Sequence, residues 1–137
     1  MRLLLYICIL ALLPFAPVQQ LDVAKLEPVQ TVAVSVEAGQ VVIETDTQNR
    51  GQGRTIKEAV EDLEANTPGV IYLDTAQYLL ITEEAMRQCE ELKSYMTQTV
   101  YVSLWDGKGS IETAAQYLEI RRDLPKLRDL DNTQCGK

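Results

Sequence analysis

Thr55-Ile56-Lys57-Glu58 opens a helix, and the segments on both sides of that helix alternate like strands. The four residues form a capping box: the Thr55 hydroxyl can accept from the Glu58 amide while the Glu58 carboxylate reaches back to the Thr55 amide. Ile56, Ala59, Val60 and Leu63 then follow the i, i+3, i+4, i+7 spacing of one buried helical face. Asn66-Thr67-Pro68-Gly69 stops it. A helix whose apolar stripe must be buried between two period-two segments commits the chain to layers of helix on sheet.

Upstream, Val32, Val34 and Val36 alternate with Ala33 and Ser35 as in a half-buried strand. Ala38-Gly39 turns the chain and Val41 to Thr45 returns, so residues 30–46 read as a hairpin. Asp46 to Gly53 is polar, glycine-bearing and loop-like. Downstream, Val70 to Leu73 reads as a short extended or turn segment leading into a central strand at Tyr78-Leu79-Leu80-Ile81. Thr82 caps a second helix with Ala85, Cys89, Leu92 and Met96 on one stripe, and Glu83 and Glu84 favour its positive amino end. Thr99 to Trp105 alternates as another strand, Asp106-Gly107-Lys108-Gly109 turns, and Ser110 caps a third helix burying Ile111, Ala114, Ala115 and Leu118. The order ββαβαβα predicts an α/β (α+β) fold, a small mixed sheet of about four strands covered by two to three helices.

The ends are read from composition. Arg2 followed by an apolar run from Leu3 to Leu13, cut short by Pro14 and Pro17, is an export signal and too short for a membrane-spanning helix of roughly 20 residues. Residues 1–18 are expected to be a signal peptide or an amino-terminal membrane anchor, 19–29 a linker, 30–121 one α/β domain, and 122–137 a charged tail with Leu124, Leu127 and Leu130 in it.

The 137-residue chain has a net charge of −7 and no histidine. That balance argues against nucleic acid and anionic membrane surfaces as partners, leaving the amino-terminal segment as the only expected membrane contact. Without imidazole the usual general base, metal ligand and pH switch are missing. No Gly-x-Ser-x-Gly segment or Cys-x-x-Cys pair occurs. Gly51-Gln52-Gly53 before a helix has the outline of a phosphate cradle, but no Gly-Lys-Ser/Thr follows; turn and capping roles explain the glycines better. Acidic groups such as Glu58, Glu61 and Asp62 read as a solvated helix face. The expectation is a non-enzymatic protein with no cofactor and no metal. Cys8 lies in the signal. Cys89 and Cys135 could pair in an exported chain, but Cys89 on an apolar stripe reads more simply as a small core residue and Cys135 as part of a polar tail.

Gly53-Arg54-Thr55 followed by the helix with Ala59 and Leu63, then Tyr72-Leu73 and the strand containing Leu80, resembles the amino-terminal domain of the Ger(x)C family, the C subunits of nutrient germinant receptors in endospore-forming Firmicutes. The resemblance spans roughly residues 28–120 and rests on small motifs. The family's lipidated cysteine has no counterpart, Gln19-Gln20-Leu21-Asp22 standing near that position. The resemblance implies a truncated or stand-alone version of that first domain, exported and membrane-associated if the signal is retained. It implies protein–protein contact with other membrane or spore-envelope proteins, or self-association, in spore germination or sporulation. The alternative from the residues themselves is an exported small-molecule or peptide-binding module with a cleft near Gly51, Gln52 and Gly53.

Overall fold

A computed structural model describes residues 26–130 and 132–135; the segment expected to be an export signal and the first part of the expected linker lie outside the described residues. Strands β1 (Leu26–Pro28), β2 (Thr31–Glu37), β3 (Gln40–Thr45) and β4 (Arg50–Gly53) precede helix α1 (Ile56–Asn66). Strand β5 (Val70–Tyr72) leads through a 3-10 turn (Leu73–Thr75) into β6 (Tyr78–Ile81). A 3-10 turn (Ala85–Gln88) runs into α2 (Cys89–Leu92), followed by β7 (Tyr101–Leu104), α3 (Ile111–Ile120), a 3-10 turn (Leu127–Asp129) and α4 (Asn132–Cys135).

The main sheet has the order β4-β3-β2-β6-β7. β2, β6 and β7 run parallel, with Val34 opposite Ile81 and Ile81 opposite Leu104; β3 and β4 are antiparallel additions, with Val34 opposite Ile43 and Ile43 opposite Gly51. This is the expected mixed sheet with helices, one strand wider than the alternation predicted. Because side chains alternate across a strand, β2 divides its residues between two faces. Val32 and Val34 join Ile43, Leu79, Ile81 and Val102 under α1 and α2, with Ile56, Leu63, Cys89 and Leu92 packed against them. Ala33 faces the other way with Leu80, and α3 covers them through Leu118, Ile111 and Ala114. The molecule therefore has three layers with helices on both sheet faces.

Four features depart from the expectation. The loop expected from Asp46 to Gly53 ends in a strand, β4, because Gly51 and Gly53 point at α1 without side chains while Arg50 and Gln52 face outward; a strand that is half glycine has no apolar period to display. Part of the expected linker is β1, which pairs parallel with β5, Leu26 opposite Val70 and Pro28 opposite Tyr72. The second helix is a 3-10 turn plus one α turn, although its stripe is buried as spaced, with Ala85, Cys89, Leu92 and Met96 all inside.

The fourth is the expected charged tail, which is a packed segment. Leu127, Leu130 and Cys135 enter the main core. The Val102 amide donates to the Pro125 carbonyl at 2.8 Å and the Leu127 amide to the Val100 carbonyl at 2.9 Å, so residues 125–127 lie antiparallel along β7 as a short strap. Cys135 is joined to Cys89 by a disulfide, with the two Cα atoms 5.4 Å apart. The reading of Cys89 as a free core residue is thereby corrected. It is buried as expected, but its sulfur is bonded, and its partner lies in the same core as Leu127 and Leu130.

Candidate functional site

The residues singled out in the sequence do not converge on one cleft. Gly53, Ala59 and Leu63 meet where α1 lies on β4, and Gly51 completes that contact. A Cβ on Gly53 would fall 2.6 Å from the Ala59 amide nitrogen, and one on Gly51 would fall 2.6 Å from the Leu63 Cβ. Both glycines are buried. Close helix-to-strand approach, not a turn or a ligand cradle, requires them, and the space a cleft at Gly51, Gln52 and Gly53 would need is filled by the helix. Thr55 caps α1, its hydroxyl accepting from the Glu58 amide at 3.2 Å. The Glu58 carboxylate reaches back one residue further than the capping box predicts, accepting from the Arg54 amide at 2.8 Å. Leu73 packs in the main core, Leu80 lies on the opposite sheet face, and Tyr72 is exposed on β5.

The sheet edges are guarded. On β4 the outward amide of Gln52 donates to the Asp62 carboxylate of α1 at 2.9 Å, next to the Arg54 amide already held by Glu58. On β7 the strap covers the first half of the edge. Open sheet edges invite strand addition, and here each edge is blocked over part of its length.

Two concavities stand out among the described residues. One, of about 490 Å³, is lined by Glu44, Asp46, Arg50 and Glu112 with Ser110 and Ile111. Arg50, the cation among these lining residues, is already engaged, donating to Glu37 at 2.6 Å and to Glu44 at 2.8 Å. The hydrogen bond to Glu37 chiefly raises the Arg50 pKa above the ordinary guanidinium value. Ser110 is also occupied, accepting from the Thr113 amide at the start of α3.

The second concavity, of about 860 Å³, lies beyond the carboxyl ends of parallel strands β6 and β7, where ligands collect in open α/β sheets. Leu104, Leu124 and Leu130 give it an apolar lining. Glu83, Glu84, Arg87 and Arg121 supply charge. Arg121 is paired with Asp123 by two hydrogen bonds, 3.1 and 2.7 Å, which hold the Asp123 carboxyl below its ordinary pKa and raise that of the guanidinium. No sequence argument singled out this groove, because its lining comes from three separated segments and Leu104 shares the alternation of buried Val102, so only the structure shows it exposed.

The two sulfurs are tied in a disulfide and so present no thiolate. Among the described residues no three His, Cys, Asp or Glu side chains gather as a metal-ligand group, and no helix is long and apolar enough to cross a membrane. No family model, curated protein or solved structure matches this chain.

Proposed function

We propose that this chain is a non-enzymatic extracytoplasmic domain that works by protein–protein contact, in the manner of the amino-terminal domain of spore germinant receptor C subunits, in germination or spore-membrane assembly. The observation that carries the reading is the Cys89–Cys135 disulfide. Such bonds persist in oxidising compartments and are rare where thiols are kept reduced, so the bond agrees with the export signal at the amino terminus. Exposed apolar side chains add support. Tyr117 and Ile120 stand 63% and 80% exposed on the outer side of α3, where large apolar residues serve contact better than solvation. The Gly53-to-Leu63 motif supports the family likeness only as architecture, since its role in this fold is packing.

The test is made in an endospore-forming host. The tagged chain is expected outside the cytoplasmic membrane, and in-cell crosslinking followed by purification is expected to recover a membrane or spore-envelope protein. Normal sporulation and germination after deletion of the gene, with no crosslinked partner, would contradict the proposal. A second reading, an exported small-molecule or peptide-binding module, has the groove beyond β6 and β7 in its favour. A small molecule that raises the melting temperature of the purified protein would favour it, because a ligand of the native state shifts unfolding by mass action.

A further inference from the structure

We infer that the carboxyl half of the β7 edge is a docking site for an extended segment of a partner polypeptide, apolar at alternate positions and carrying Lys or Arg. The inference rests on the reading of the chain as a contact domain and names the surface that makes the contact.

Backbone parity decides which main-chain groups of β7 face outward. The Tyr101 amide donates to Gln77 and the Trp105 amide to Ile81, so the odd-numbered residues of β7 are turned toward β6. The even-numbered residues, Val102 and Leu104, turn their amides and carbonyls outward. The strap takes the Val102 amide through the Pro125 carbonyl. The next rung of an antiparallel pairing would be a bond from residue 125 to the Val102 carbonyl, and Pro125 has no amide proton to give. Pairing stops there. The Val102 carbonyl and the Leu104 amide are left facing the groove, and the Leu104 carbonyl accepts only a long 3.4 Å bond from the Ser103 hydroxyl, which leaves one of its lone pairs for a second donor; a short run of strand edge keeps its main-chain donor and acceptors.

The surroundings suit an extended peptide. Leu104 is 66% exposed and sits on the same side of β7 as buried Val102, with Leu124 and Leu130 also lining the groove. A strand added here would set alternate side chains against that lining, the usual division between main-chain affinity and side-chain specificity. Charge selects the occupant. Glu83 and Glu84 line the groove and make no ion pair among the described residues, whereas Arg121 is already neutralised by Asp123. One cation, Arg87, faces two free carboxylates. A basic partner is favoured, and a second copy of this chain is disfavoured because each copy carries a net charge of −7.

The probe is a synthetic pentapeptide alternating valine and lysine, compared with its glutamate-for-lysine version and with a version N-methylated at its central valine. Binding to the purified, disulfide-bonded chain is followed by heteronuclear NMR. The lysine peptide is expected to shift the amides of Val102, Leu104, Glu83 and Glu84, and N-methylation to weaken it about tenfold through lost main-chain hydrogen bonds. Glu83→Lys with Glu84→Lys should transfer the preference to the glutamate peptide. Leu104→Asp should abolish binding and leave the melting temperature unchanged. Absence of shifts, equal binding of all three peptides, or a Leu104-dependent dimer in sedimentation without peptide would each overturn the inference. Because the assay uses purified protein, these outcomes are separate from failure to find the chain outside the cytoplasm or to crosslink a partner, which would strike the functional proposal instead.

Discussion

The carboxylate of Asp62, on α1, accepts a hydrogen bond from the backbone amide of Gln52, on β4, at 2.9 Å. Helix and strand thus meet twice: inside through Gly51 and Gly53, and outside where a helix side chain substitutes for the missing neighbouring strand. Asp62→Ala is expected to cost about 1 kcal/mol, the usual net worth of one such bond. It should also accelerate hydrogen exchange at the Gln52 amide while leaving the Val42 and Ile43 amides protected. Unchanged exchange at Gln52 would contradict the role given to Asp62.

The glycines of β4 are the more severe test of the same contact. A Cβ at Gly53 would press on the Ala59 amide nitrogen, a backbone atom that cannot swing aside. Gly53→Ala is expected to destabilise the domain by about 1–3 kcal/mol, the range for overpacking a filled interior. Gln52→Ala, at an exposed position between them, should fall within about 0.5 kcal/mol of the parent, as surface changes do. Urea unfolding of the two variants measures the contrast.

The disulfide closes a loop between positions 46 residues apart. In the chain-entropy account that is worth about 4 kcal/mol. The Cys89→Ser, Cys135→Ser double variant should lose stability of that order, and reductant should lower the melting temperature of the parent but not of the variant. Among the structural consequences, the strap should loosen first: amides of Leu127 and Arg128, which bond to Val100 and Gln98, are expected to exchange faster than those of β2 and β3.

Asp123 offers a pH test. Its carboxyl is held below the ordinary value, chiefly by the hydrogen bonds from Arg121. A depressed carboxyl pKa contributes stability above the unfolded-state value, and the contribution disappears as pH falls through the lower folded-state value. Because the pair is fully exposed, the effect on stability is small. The site itself is readable: NMR titration should place the Asp123 midpoint below that of an unpaired aspartate, and Arg121→Gln should raise it. A midpoint unmoved by that substitution would contradict the pairing.

Much of this architecture was legible because it is written in local patterns. The cap at Thr55, the cap at Ser110, the hairpin turn at Ala38-Gly39 and the stripe from Ala85 to Met96 all act over a few residues, and each stands where its spacing put it. What escaped was non-local. β4 carries its information in the absence of side chains at Gly51 and Gly53, which means something only when α1 is laid across them. β1 is three residues long and exists because β5 is beside it. The strap escaped because Arg122, Asp123, Lys126, Arg128 and Asp129 mask Leu127 and Leu130, which are buried in the same core as a disulfide to a residue far back in the chain. The groove at Leu104 was hidden for the same reason, since the chain end that forms one wall looked solvated.

The state of Cys89 and Cys135 in the living cell tests the central claim most directly. Thiols are trapped in intact cells with a membrane-impermeant alkylating reagent and, in a parallel sample, after acid quenching and lysis, and the protein is read by mass spectrometry. The account predicts no alkylation at either cysteine in both samples, with the chain accessible to protease added outside the cytoplasmic membrane. Two alkylated thiols recovered only after lysis, on a protease-protected chain, would contradict it.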